Sequence, residues 1–259
     1  MTTLVDIAQF QIYFLTFTRI MATIVHVPVI GGRSVPNLVK IGIGLLLAIF
    51  LAPIQTSQST FVSMDIVAFS IAIGREIIIG TIAGYAADLA FGALQIAGSL
   101  MGLGSGFMAG QTLNPTIGDN GTSLDQIFVT TAFLIFFILN GHHIFLFGLS
   151  KTFEVLPINS EIPQLAENTI FHLTGSMISI GIQISLPILG ALMLTDIAMG
   201  LLSRVAPQIQ VFFLGIPLKI AFGLFALAIA IPALAPNLRT IFNGIGDQMI
   251  LLLGKTYAR

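Results

Sequence analysis

Apolar residues run along this chain in long blocks, separated by short stretches where Pro, Gly, Ser and Asn gather. A bilayer core of about 30 Å needs about 20 mostly apolar residues in a helix. Six regions meet that description: Phe10 to Val29, Leu38 to Pro53, Ile66 to Met101, Gln126 to Leu149, Phe171 to Leu202 and Val211 to Leu234. The third and fifth are too long for simple spans, so they tilt steeply, leave the membrane as continuous helices, or fold back as hairpins. Proline inside a helix removes a backbone donor and clashes with the preceding turn, so Pro187 predicts a kink or break and raises the helix count to seven or eight. Beyond Asn237, Leu238, Ile241, Phe242, Ile245, Met249, Leu252 and Leu253 recur at helical spacing with polar residues between. That tail, residues 236–259, reads as an amphipathic helix on a membrane surface or a partner.

Composition agrees with the pattern. Only 8% of the 259 residues are charged against 56% hydrophobic, and mean hydropathy is +1.00, where an average soluble domain has about 25% charged residues. The chain is a membrane protein in contact with lipid, and its scattered basic residues exclude a nucleic-acid partner. With no Cys there is no disulfide or thiolate metal site. The first residues, MTTLVDIAQF, lack a basic n-region and a cleavage site, so the first apolar region reads as a retained helix. Arg33 and Lys40 place the first loop in the cytoplasm and the N-terminus outside, whereas Arg239, Lys255 and Arg259 favour a cytoplasmic C-terminus. Both assignments hold only if one long region folds back.

Charges inside apolar regions are few: Arg19, Arg75, Glu76, Asp88, Asp196, Arg204 and Lys219. Each costs at least about 2.5 to 3.5 kcal/mol near the bilayer centre, so each should face a partner or water. Arg19 and Arg204 read as snorkelling side chains near helix ends. Arg75 and Glu76 lie about 100° apart on a helix and point to different partners. Glu76, Asp88 and Asp196 could form a proton relay or bond separately to neighbouring helices. His142 and His143 lack the i, i+4 spacing of a helical metal site, and nothing suggests a nucleophilic triad, a phosphate loop or a zinc hydrolase. The chain reads as a non-enzyme without a cofactor.

Small residues carry more information. Gly80, Gly84, Asp88 and Gly92 fall at steps of four, and Gly98, Gly102, Gly106 and Gly110 repeat the step. Such rows form a ridge with little bulk that lets another backbone approach, within the chain or from another subunit. After Gly102 the helix weakens, because Gly104 and Gly106 disfavour it and Pro115 forbids it. The segment Leu103 to Gly121 then has few bulky groups, chiefly Leu103, Phe107, Met108 and Leu113. It is either an exposed loop or a gate lining a cavity, since irregular backbone at membrane depth needs protein cover or an aqueous cavity.

Four stretches, taken in order, resemble the FliR family of flagellar export-gate proteins and its injectisome counterpart SctT. They are VPVIGGRSVPNLVKIGIGLLLA, then REIIIGTIAGYAADLAFGALQIAGSLMGLG followed by Asn114 and Pro115, then FFILNGHHIFLFGLSKTFEVLPI, and last LTDIAMGLLSRVAPQIQVFFLGIPLKI. The resemblance implies an all-α fold of membrane helical hairpins, with a FliP-like part over about 1–165 joined to a FliQ-like hairpin over about 166–235. It implies FliP, FliQ and FlhB as partners, unfolded flagellar proteins as export substrates, and a place in the bacterial inner membrane at the flagellar basal body. It further implies that the loop 103–121 plugs a closed channel, with Phe107 and Met108 at the plug, though GFMAGQTLNP is longer and richer in glycine than the usual family run. Glu76 is implied as a structural or inter-subunit acid. A small secondary transporter, with Asp196 and Lys219 at a midplane site beside helices broken at Pro187 and Pro217, is the alternative.

Overall fold

The computed structural model describes residues 7–32, 35–56, 64–105, 123–163, 167–208 and 211–254. Among the described residues every regular element is helical: α1 (Ile7–Ile24), α2 (Pro28–Gly31), α3 (Asn37–Thr56), α4 (Ile66–Gly104), α5 (Ser123–Ile138), α6 (Gly141–Val155), α7 (Glu167–Val205) and α8 (Val211–Leu252). Among the described residues three helices are long and apolar enough to cross a membrane, Ile66–Gly104, Asn168–Val205 and Pro217–Leu252, or four if the broken pair α5 and α6 counts as one crossing.

Neither long region folds back. Both α4 and α7 are continuous helices of 39 residues, about 58 Å each at 1.5 Å per residue. Helix α7 passes through Pro187 without a break, and α8 passes through Pro217, Pro232 and Pro236. The expected break at Pro187 is thereby corrected. The local penalty of an interior proline falls on one backbone bond, and a helix of this length keeps the rest of its ladder. The eight helices arise differently, from the one-turn α2 and from an interruption at Leu139 and Asn140 inside the fourth region. Asn140 adopts φ 56°, a left-handed conformation that Asn tolerates, and its carbonyl then accepts from His143 and Ile144 as α6 begins. So the chain turns between α5 and α6 rather than within α4 or α7.

The tail is also corrected. Its residues up to Leu252 continue α8, and Leu238, Phe242, Ile245, Met249, Leu252 and Leu253 are buried in the chain itself. Phe242 meets Phe91, with ring centroids 5.8 Å apart. The periodicity marks a helix with one apolar face; that face is covered by protein.

The chain forms two compact units. One holds Met1–Phe91, Asn140–Leu173 and Phe242–Arg259; the other holds Gly92–Leu139 and Thr174–Ile241. In the first unit α1 and α4 run parallel, because Gln11, Arg19 and Thr23 meet Met64, Glu76 and Gly80 in the same order. Gln11 donates to the Met64 carbonyl at 3.0 Å and accepts from the Met64 N–H at 2.9 Å, fixing the chain just before α4. Helix α3 returns along α1, its small residues Gly44, Ala48 and Ala52 forming the buried stripe, with Gly44 against Met21 and Phe17. Bulk is missing from α4 where α1 crosses it. A Cβ on Gly80 would lie 2.6 Å from the Arg19 carbonyl oxygen, and one on Gly84 would lie 2.9 Å from the Thr23 carbonyl oxygen. The same device joins α6 and α8, where a Cβ on Gly148 would come within 2.9 Å of the Gly246 Cα.

In the second unit α7 and α8 form an antiparallel pair, since Met199, Asp196 and Leu192 meet Gly215, Lys219 and Gly223 in reverse order. The later part of α4 lies along α7. A Cβ on Gly92 would touch Met177, one on Gly181 would sit 2.8 Å from the Ala93 carbonyl oxygen, and one on Gly104 would sit 2.8 Å from Leu189.

These contacts set an expected outcome for Gly80→Val. Backbone cannot yield as a flexible side chain does, so the variant should lose about 1 to 3 kcal/mol, the usual cost of overpacking. The check is thermal unfolding in detergent beside Gly74→Val, because a Cβ at Gly74 meets nothing within 4 Å. Equal midpoints for the two variants would refute the close approach.

Candidate functional site

The most concentrated chemistry lies in the first unit, where three helices bring charge into an apolar interior. Arg19 on α1 and Glu76 on α4 are both 0% exposed, with Nε 2.5 Å from Oε2. The guanidinium has five N–H donors in a planar fork, and its other edge faces the end of α6. Nη1 donates to the carbonyls of Thr152 at 3.2 Å and Leu156 at 2.6 Å, and Nη2 to that of Pro157 at 3.4 Å. The last carbonyls of a helix have no partner in the helix and carry a partial negative charge. Arg19 therefore caps this end from another helix, beside the Leu156 N–H that bonds Thr152 and the Ser160 groups that bond Pro157. Its plane lies over Phe153, 4.5 Å from the centroid, which adds a cation–π contact.

Glu76 completes the centre through its second oxygen. Oε1 accepts from the Asn159 N–H at 2.9 Å, in a turn after α6 where Asn159 has φ 65° and Ser160 bonds back to the Pro157 carbonyl. Thr23, one turn beyond Arg19, shares its hydroxyl between the carbonyls of Arg19 at 2.9 Å and Gly80 at 3.1 Å. Snorkelling is therefore the wrong reading of Arg19: it lies inward because a carboxylate and three carbonyls satisfy it there. No local signal announces this, since Glu76 is 57 residues away in sequence. Arg204 does sit exposed, in the last turn of α7.

The other charges separate. Asp88 pairs with His26, Oδ2 to Nδ1 at 2.7 Å, beside a hollow of about 370 Å³ lined by Met21, Val25 and Thr81 among others. Asp196 and Lys219 pair at 2.5 Å between α7 and α8. Glu76, Asp88 and Asp196 thus have three different partners. Arg75, the neighbour of Glu76, is half-buried and takes no part in the centre. The rings of His142 and His143 lie with centroids 4.3 Å apart and planes tilted by 56°, and no cluster able to hold a metal occurs among the described residues.

Of the glycine row, Gly80 and Gly84 face α1, Gly92 faces α7, and Gly98 faces Asp125 of α5. Gly102 is buried near the end of α4, where its carbonyl accepts from the Ser105 hydroxyl at 2.7 Å. Leu103 is exposed at that end. Phe107, Met108, Leu113 and Pro115 lie outside the described residues.

Charge pins within an apolar, close-packed helical chain identify no reaction, and comparison with known proteins supplies what the geometry does not. The family described as bacterial export proteins, family 1, matches residues 10–245. The chain belongs to that family. Among bacterial export relatives, the flagellar biosynthetic protein FliR of Pectobacterium carotovorum subsp. carotovorum is 31% identical over 246 residues, covering 93% of this chain and 92% of that protein. FliR of Escherichia coli strain K12 is 32% identical over 238 residues, covering 91% and 90%. Yop proteins translocation protein T of Yersinia pestis is 28% identical over 222 residues, covering 84% of each. The match to family 1 takes in all three helices of the buried centre.

Removing one member of a buried pair leaves the other uncompensated, at about 3 to 5 kcal/mol. Arg19→Met should therefore abolish folded protein in membranes, and Glu76→Gln, whose single carbonyl oxygen can accept from Arg19 or from the Asn159 N–H but not from both, should lower the unfolding temperature. Limited proteolysis of membrane fractions reads both. Wild-type resistance in Arg19→Met would show that the pair does not hold this unit together.

Proposed function

We propose that this chain is a subunit of a type III protein export gate, and that its work is to form and close a passage rather than to catalyse. The observation that carries the reading is the family match over residues 10–245, with relatives named both for flagellar biosynthesis and for Yop translocation. None of those names is an enzyme's. The long apolar helices support a membrane location, and the reading places the gate in the bacterial inner membrane at the flagellar basal body.

In this reading FliP, FliQ and FlhB are the neighbouring subunits, unfolded flagellar proteins are the cargo, and the glycine row of α4 supplies close-packing positions. The segment Leu103 to Gly121, which starts in the last turn of α4, closes the passage at rest, with Leu103, Phe107, Met108, Leu113 and Pro115 as the closing groups. Glycine lowers the cost of rearranging such a segment, because it accepts backbone conformations closed to other residues. A FliP-like part followed by a FliQ-like hairpin remains the expected internal organisation; the antiparallel pairing of α7 and α8 suits the second of these. The alternative of a secondary transporter loses its main support, because α7 and α8 are unbroken at Pro187 and Pro217 and Asp196 and Lys219 neutralise each other.

Two experiments test the proposal. Deleting residues 104–110 should make the membrane permeable to small ions while the assembled complex still forms, measured by dye leakage in cells carrying the complex. An assembled complex with unchanged permeability refutes the plug. A bulky side chain at Gly102 should prevent co-purification of FliP and FliQ; normal recovery of both would count against α4 as an assembly surface.

A further inference from the structure

The described residues on either side of the closing segment converge on one side chain. On the first side, a Cβ on Gly104 would lie 3.2 Å from Leu192 Cδ1 and 3.9 Å from Leu192 Cβ, with Leu189 Cδ2 at 2.8 Å beside them. On the second, Leu192 Cδ2 and Leu124 Cδ1 lie 3.4 and 3.7 Å from the place of a Cβ on Gly223, so both leucines cover the same bare patch of α8. Leu192 and Leu124 are buried. Ser105 is buried too, its N–H and hydroxyl donating to the carbonyls of Met101 and Gly102 as α4 ends. Leu192 thus turns one methyl to the end of α4 and the other to the surface on which α5 begins, although 20 residues of chain separate Gly104 from Leu124.

All of these residues belong to the second unit, and the surface beneath them is held in register. Leu192 stands four residues before Asp196 on α7, and Gly223 stands four residues after Lys219 on α8. In an antiparallel pair those are the same direction, so the contact lies about one turn from the ion pair on both helices. A slide of α8 along α7 would part the two charges and carry the seat of Leu124 away from Leu192 in one movement.

We propose that Leu192 is a positioning residue, which clasps both ends of the segment Leu103 to Gly121 on α7 and α8 and so fixes where that segment sits. What the segment does rests on the reading given under the proposed function; the clasp is read from the residues that flank it. A buried leucine ordinarily fills space, and its loss is felt as a cavity. This one joins two ends, and its loss frees them together.

The chain has no Cys, so introduced thiols report on it without background. In the full chain, within the assembled complex, Gly104→Cys with Leu192→Cys should form a disulfide under mild oxidation. A Cβ separation of 3.9 Å is the spacing that bond requires. Ser105→Cys should resist a maleimide in the complex and react at least about tenfold faster once Leu192→Ala is added, since deleting buried methyl groups eases local opening by more than a decade. Leu192→Met, which keeps the reach, should restore protection. Ile184→Ala, emptying a buried place about two turns earlier on α7, should leave Ser105→Cys protected. Dye should leak through the complex carrying Leu192→Ala and not through that carrying Ile184→Ala, a difference that general loss of packing does not produce. Absence of the disulfide, or equal labelling in the Leu192→Ala and Ile184→Ala complexes, overturns the clasp. Faster labelling without leakage keeps the clasp and refutes the closing role. Leakage on deletion of residues 104–110, with labelling unmoved by Leu192→Ala, keeps the closing role and refutes the clasp. The disulfide decides the geometry even where Leu192→Ala does not assemble.

Discussion

A charge held where water is excluded must find every partner inside the protein, and Arg19 does so with one side chain. Its Nε takes the Glu76 carboxylate and its terminal nitrogens take three carbonyls at the end of α6. Three helices far apart in sequence are thereby held at one point, and none of the three can shift without stranding a charge or a carbonyl. Ordinary apolar contact does not impose that restriction in lipid, where side chains meet the membrane as readily as each other. Direction and register in this unit come from polar atoms.

Closeness comes from the absence of side chains. Gly80 and Gly84 bring α4 against the α1 backbone, and Gly148 does the same for α6 against Gly246. The two devices depend on each other. A guanidinium reaching Glu76 from α1 needs that short interhelical distance, while a glycine surface without a polar pin would fit several registers about equally well.

Much of this architecture was legible in the order of residues, and what was hidden was hidden for physical reasons. Lengths of apolar blocks gave the helices, and glycines at steps of four marked a surface without bulk, because both are local properties. The inward turn of Arg19 was hidden, since a lone Arg in an apolar block looks the same whether it reaches for headgroups or for a carboxylate 57 residues on. Pro187 and Pro232 carried a real local penalty that a long helix absorbed. The Asn140–Gly141 step, by contrast, is a recognised turn signal, and it marks the interruption between α5 and α6 that hydropathy alone passed over. For the tail the period was right and only the covering surface was missed, because an apolar stripe does not name its neighbour. Of the proposed gate, the closing residues after Ser105 lie outside the described structure, so their candidacy still rests on composition and resemblance.

The parallel register of α1 and α4 bears on how the chain is made. Arg19 leaves the ribosome 57 residues ahead of Glu76 and 133 ahead of Thr152, the first carbonyl it will bond. Between them come Gly92–Leu139, which belong to the other unit, and the first unit is completed only by Phe242 and the residues after it. Unit one therefore cannot close as it emerges. Arg19 can meet Glu76 early, but the carbonyls that complete its centre come only after a large part of the sister unit has been synthesised, so the two halves of this chain are bound to one another in time by the order of translation.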